Sequence, residues 1–347
     1  MKKIRNMVLA ALILLGVLAG YAYWKVMGNN VSKDVVAFEL LIPTGADYQY
    51  LKQLLKDQEV LKDEWSFDML AEALDYPNKI KPGRYILNYP MSNKDLLSIL
   101  RSGRQTPVKI VINKFRTKAD LAGYIGKKLE MDSVELTQLL NDEVYLDSMG
   151  MKPETAMALF IPNTYEFYWN TSAQKFVGKM ASEYQKFWTD TRKQQAIAKG
   201  LEPIQVIVLA SIVEEESQKK DERPTIAGVY LNRLNKGMLL QADPTVKYAV
   251  QDFGLTRINS AHTGFQSPYN TYLNTGLPPG PICTPSINAI ESVLNAEKHD
   301  YMFFCADITS PGYHAFAKTF EQHLQYARKY WKQQDKAGNH APTPPSI

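Results

Sequence analysis

The chain has 347 residues, 45% hydrophobic and 22% charged, an ordinary globular composition that excludes long disorder and leaves room for two or three compact units. Its formal charge of +4 comes from Lys2, Lys3, Arg5 and Lys25. Without these four, 36 basic residues face 36 acidic ones, so net charge gives no support to a nucleic-acid partner. Two cysteines, Cys283 and Cys305, are too few for a disulfide framework, and no Cys/His spacing resembles a zinc site. In an exported protein the two thiols could pair; packing as free, small hydrophobes is the plainer expectation.

From Met7 to Trp24 the chain runs eighteen residues without a charge. At about 1.5 Å per residue such a helix nearly crosses a hydrocarbon layer of about 30 Å. Lys2, Lys3 and Arg5 precede it, so the positive-inside rule puts the N-terminus in the cytoplasm and everything after about residue 30 outside, with Tyr21, Tyr23 and Trp24 at the outer interface. The competing reading is a cleaved signal peptide, whose apolar region is shorter and ends in a small-x-small site. This run ends in bulky aromatics and is expected to stay as a single-pass anchor.

Residues 36–105 predict a small α/β unit: a strand at 36–41, helices at 48–55 and 65–73, a strand at 83–87 and a helix at 94–102 that Gly103 ends. It carries no evident catalytic cluster and reads as a binding or spacer module. A strand near 107–113 follows, then two helical patterns at 118–129 and 133–141, and an apolar, aromatic run from Ala158 to Phe167 broken by Pro162-Asn163. That run reads as a packed corner or as aromatic lining for a sugar groove.

Pro203 opens a helix that is apolar on every side until Glu214, Glu215 and Glu216. Acids at a helix C-terminus oppose its dipole. Burial and that dipole both raise a carboxyl pKa, which is how a glutamic acid stays protonated near neutrality and serves as a general acid. The alternative is a solvated exit turn, the helix ending at residue 213 and the acids pairing with Lys219, Lys220 or Arg223. Periodicity does not choose among the three. Downstream come a helix at 225–234, a loop bearing Gln241 and Asp243, the cluster Tyr269-Asn270-Thr271-Tyr272, and a rigid Gly276-Leu277-Pro278-Pro279-Gly280-Pro281 loop. Tyr, Asn, Gln and Asp converging on a groove suit a polysaccharide, which offers apolar faces and paired hydroxyls. A core strand at 301–307 with a partner at 313–316 follows, His314 reading as structural, and the polar, Pro-rich tail 333–347 is expected to be disordered.

Taken together, these segments resemble the endolytic murein transglycosylase family, the YceG-like proteins. The resemblance rests on Leu209-Ala210-Ser211-Ile212-Val213-Glu214, Asn232-Arg233-Leu234, Gly237-Met238, Leu240 to Thr245, Tyr269 to Tyr272 and Gly276 to Ile282, in order, with Phe160 to Tyr165 upstream. Asn163 stands where the family usually has Asp, and Ser217 where Thr is common. The resemblance implies an α+β fold: anchor and cytoplasmic stub at 1–30, a LysM-like module at 36–105, a catalytic region at 106–332 with a lysozyme-like catalytic helix, and the tail. It singles out Glu214 as the catalytic acid and base, and Ser211, Glu216, Gln241, Asp243, Tyr269, Asn270, Thr271 and Tyr272 as substrate contacts. The implied reaction cuts MurNAc–GlcNAc bonds within nascent glycan strands. One carboxyl protonates the glycosidic oxygen, then accepts the proton of the sugar's C6 hydroxyl, leaving a 1,6-anhydro end; this intramolecular nucleophile removes the need for a second carboxylate. No metal or organic cofactor is implied. Expected partners are peptidoglycan strands, the cytoplasmic membrane and the peptidoglycan synthases, with no nucleic acid. Two rivals remain: a hydrolytic muramidase in which Asp243 activates water beside Glu214, and a catalytically silent peptidoglycan-binding scaffold.

Overall fold

The computed structural model describes residues 2–31 and 37–336. The uncharged N-terminal run lies inside α1 (Lys2–Met27), which has no buried residue and is long and apolar enough to cross a membrane. The remainder is mixed α+β, and the chain divides into two compact units.

The first unit holds α1, β1 (Phe38–Ile42), α2 (Tyr48–Asp57), α3 (Glu64–Ala73), β2 (Gly83–Leu87) and α4 (Asn93–Ser102). Asp47, Asp63 and Ser92 start the three short helices because each side chain accepts from a first-turn backbone N–H that would otherwise be orphaned. Gly103 ends α4 in the left-handed region, φ 72°, where a side chain would be strained. β1 and β2 pair antiparallel with Leu40 opposite Tyr85. Alternation turns Leu40, Ile42, Tyr85 and Leu87 inward against Leu51, Leu55, Phe67 and Leu97. Val36, expected to begin the first strand, lies outside the described residues. The unit runs past the expected boundary at 105, reaching Lys109 and taking in Lys127–Met131 and Glu166–Ser172. Side chains explain this: Glu130 accepts from the Thr44 backbone N–H and hydroxyl at 2.6 and 2.7 Å, and the Gln105 amide donates to Asn170 at 3.2 Å.

In chain order there follow β3 (Val108–Ile112), α5 (Lys118–Gly126), α6 (Ser133–Leu139), α7 (Glu143–Asp147), a 3-10 turn (Pro153–Leu159) and β4 (Asn163–Phe167), which pairs with β3. Then come α8 (Ala173–Phe187), α9 (Asp190–Ala198), α10 (Pro203–Glu216), α11 (Arg223–Asn235), α12 (Asp243–Val250), α13 (Ser260–Thr263), α14 (Ile287–Leu294), β5 (Phe303–Ala306), β6 (His314–Ala317) and α15 (Phe320–Lys336). The second unit is built around α10, whose residues Val206 to Val213 are all buried and which packs against α11, α12 and α14. A helix apolar on every side is stable only in such a core position.

Two expectations change. β5 and β6 pair antiparallel as expected, yet every residue of β5 keeps some solvent exposure, so it is a covering strand and not a core one. Residues 333–336, assigned to a disordered tail, continue α15. The cysteines follow the plainer expectation: both are free thiols, and burial raises the pKa of Cys283 and pushes that of Cys305 up to about 11, so neither is an activated thiolate.

Candidate active site

Pro203 is pre-set for the first helical position of α10, and the Gln205 side chain accepts from the Glu202 backbone N–H at 2.8 Å, closing that end. The helix runs through Glu216 and stops where Ser217 turns extended, at φ −137° and ψ 134°. The three acids therefore occupy its last turn instead of a solvated exit, and each meets a different surface.

Glu214 faces a buried arginine. Arg223 Nη2 donates to its Oε1 at 3.1 Å, Nη1 lies 3.0 Å from Oε2, and the Ser286 hydroxyl and backbone N–H also donate to Oε2. Only 3% of the Arg223 side chain and 12% of the Glu214 side chain are exposed. The same guanidinium donates to the Ser217 carbonyl at 3.0 Å and to Asn288 at 3.0 Å, joining the end of α10, the start of α11 and the cap of α14. Both oxygens of Glu214 are thus spoken for by structural donors.

Glu215 turns toward Lys114 at 3.1 Å and Arg116 at 2.9 Å. Burial pushes its pKa up, but the Arg116 hydrogen bond and the Lys114 charge more than offset this and hold the carboxyl below the usual range. With Lys247, Tyr248 and Phe253 it lines a small cleft, and the Arg116 guanidinium lies over the Phe253 ring.

Among the described residues no cation lies within ion-pairing distance of Glu216. Its Oε1 accepts from the Tyr230 hydroxyl on α11, and the residue as a whole keeps some solvent exposure. Burial is the main cause of a pKa pushed up to about 7, reinforced by the negative charge of Asp243; the Tyr230 hydrogen bond, Lys247 and Arg233 pull the other way. Such an acid is half protonated near neutrality, which suits a group that must give up a proton and take one back.

Asp243 is exposed at the first position of α12 and accepts from the Tyr272 hydroxyl at 2.6 Å, while burial and Asp243 raise the pKa of that phenol. Gln241 is exposed with φ 52°, its side-chain oxygen accepting from Arg233 at 3.4 Å. Tyr269 is half-buried against the Tyr248 ring, centroids 4.7 Å apart.

Ser211, Asn270 and Thr271, expected among the substrate contacts, are framework instead, because none has surface to offer a sugar. Ser211 is fully buried, donating to the Val208 carbonyl and accepting from the Ile282 N–H at 3.0 Å. Asn270 braces its own turn through the Thr263 and Phe265 carbonyls, and Thr271 accepts from the Ala242 N–H at 3.0 Å. Gly280 permits the rigid loop to pass close to the Pro153–Leu159 turn: an added Cβ would lie 1.8 Å from the Glu154 carbonyl oxygen. Sequence reasoning missed Tyr230, Ser286 and Glu222. Glu222 is buried, meets His314 Nδ1 at 2.8 Å and accepts from the Ser217 hydroxyl at 3.2 Å, so His314 does have a structural role at the residue after Glu216.

Residues 40–329 match the YceG-like family profile. The chain belongs to the YceG-like family. It is 28% identical over 326 residues to the endolytic murein transglycosylase of Bacillus subtilis, a match covering 89% of each protein. It is 30% identical over 315 residues to the endolytic murein transglycosylase of Streptococcus pneumoniae, covering 81% of this chain and 56% of that longer relative. A crystal structure of a YceG-like protein from Listeria monocytogenes is similar with a TM-score of 0.56 and 27% identity, over 83% of this chain and 98% of that one.

Proposed function

We propose that this YceG-like chain is an endolytic murein transglycosylase, cleaving within peptidoglycan glycan strands, and that Glu216 is its general acid and base. Family membership and the names of the similar proteins support the reaction. The observation that carries the residue assignment is the contrast at the end of α10. Resemblance singles out Glu214, whose two oxygens are engaged by Arg223 and Ser286, while Glu216 is half-buried, has no cation at contact distance among the described residues and is raised to about 7.

Glu216 in its acid form donates a proton to the glycosidic oxygen as the C1–O bond breaks. The carboxylate left behind accepts the proton of the C6 hydroxyl as its oxygen bonds to C1, which closes the 1,6-anhydro ring and restores the acid. Gln241, Asp243, Tyr269 and Tyr272 are the polar and aromatic groups left with exposed surface for sugar contacts. Glu214 is an anchor that fixes the helix end from which Glu216 projects.

The finer parts of the reading are proposals too. α1 is a single-pass anchor in the cytoplasmic membrane, oriented with Lys2, Lys3 and Arg5 inside. The body then lies on the outer side, where strand and synthases meet, making the synthases its protein partners. The first unit is a LysM-like module that binds glycan beside the anchor, and α10 corresponds to a lysozyme-like catalytic helix.

Digestion of purified sacculi by the intact chain in detergent, followed by mass spectrometry, tests the reaction. The expected products end in 1,6-anhydro-MurNAc. Borohydride-reducible ends one water heavier would make it a hydrolase, and absence of cleavage would leave a binding scaffold.

A further inference from the structure

Tyr230 lies one side of Glu216, in the middle of α11, with its ring buried and set edge-on against Phe304, centroids 5.8 Å apart and planes 87° apart. Packed this way the phenol has no room to swing, so the direction of its hydroxyl is fixed by the core. That hydroxyl donates to Oε1 of Glu216 and leaves Oε2 without a hydrogen-bond partner among the described residues. Asp243 acts on the same carboxyl from α12 and is itself held by Tyr272.

The geometry points to Tyr230 as a positioning residue for cleavage, whose hydroxyl occupies Oε1 of Glu216 so that the reacting proton is carried on Oε2. The inference rests on Glu216 being the acid. A carboxylic acid free on both oxygens spreads its proton over two positions and several rotamers; one with a fixed donor on Oε1 presents it from a single oxygen. The same donor stabilises the carboxylate more than the acid, so Tyr230 also sets the pH range over which Glu216 stays protonated. The other groups facing this carboxyl are Asp243, which favours the acid form, and Lys247 and Arg233, which favour the carboxylate. Tyr272 faces Glu216 as well and is kept neutral by burial and by Asp243.

Opposite signs make the test. In Tyr230→Phe the carboxylate loses its donor, so the titration of Glu216 and the alkaline limb of kcat/KM both move up, by about half a pH unit or more. Turnover falls about tenfold with KM unchanged, because Tyr230 does not touch the sugar. In Asp243→Asn a negative neighbour is removed, and both move down. The measurements are the pH profile of glycan cleavage by the intact chain in detergent, and isotope-edited infrared titration of the carboxyl, with Glu216→Gln as the blank that identifies the band. An unmoved carboxyl in Tyr230→Phe overturns the inference, whatever happens to rate. A carboxyl that moves while the alkaline limb stays put shows that Glu216 is not the acid, which overturns the proposed assignment and Tyr230's part in cleavage with it.

Discussion

Glu214 and Glu216 sit two residues apart on one helix, belong to the same apolar core and have the same side chain, yet their surroundings prepare them for different work. On the Glu214 side, α11 and α14 bring a buried guanidinium and a serine cap, and the carboxyl becomes a fastener between three helices. On the Glu216 side, α11 brings a phenol and α12 a second acid, and the carboxyl is left raised toward neutrality with one oxygen unpartnered among the described residues. Local sequence supplies the acids; the neighbours that α11, α12 and α14 bring to the helix end decide what each does.

The contrast breaks most visibly if the fastener is removed. Arg223→Met leaves the Glu214 charge nearly buried with its main partner gone, and is expected to lower stability by about 3–5 kcal/mol. Denaturant unfolding reads it directly. A loss below about 1 kcal/mol would mean that the Glu214–Arg223 pair is not structural.

Glu216→Gln sharpens the other side. The folded state keeps the Glu216 proton up to about pH 7, against 4.5 for an ordinary glutamate, so the folded form binds more protons than the unfolded one between those values. Stability contributed by this group is complete below the unfolded pKa and is lost as pH rises through the folded one. Glu216→Gln does not pay this penalty. Its stability in denaturant unfolding should gain on that of the unaltered chain between about pH 4.5 and 7 and level off above, the gain reaching at most about 3 kcal/mol. A difference that does not change with pH would contradict the raised pKa.

The smallest effect belongs to the middle acid. Glu215→Gln weakens a partly solvated cluster with Lys114 and Arg116 and is expected to change stability by less than about 1 kcal/mol while most cleavage activity remains. Loss of activity as complete as that of Glu216→Gln would give Glu215 a chemical role that its cation partners argue against.

Much of this fold was legible in the sequence. Gly83 to Leu87 is a strand as expected, α10 begins at Pro203, and the expected limits of α2, α3, α4 and α11 fall within about two residues of those observed, because caps and periodicity are local signals. The sequence leaves the end of α10 open between residues 213 and 216, since local sequence does not say whether a run of acids leaves the core or stays in it. Periodicity leaves open which of the three acids does the chemistry for a related reason, and the family resemblance points to Glu214. Tyr230 is one of 20 tyrosines and lies fourteen residues beyond Glu216, and Ser286 is 72 beyond Glu214. Ser211, Asn270 and Thr271 show the converse: polar residues in a family motif looked like ligand contacts, whereas they are buried polar groups satisfying the backbone of neighbouring turns.

The most direct test compares Glu214→Gln with Glu216→Gln for release of glycan fragments from sacculi, counted per folded molecule so that instability is not mistaken for lost chemistry. Glu216→Gln should fall by about 10²–10⁴ while remaining folded, the range expected when a general acid is removed. The folded fraction of Glu214→Gln should continue to cut and leave the same anhydro ends. If the folded Glu214 variant is inert and the Glu216 variant cuts at the unaltered rate, Glu214 is the acid and Glu216 is not.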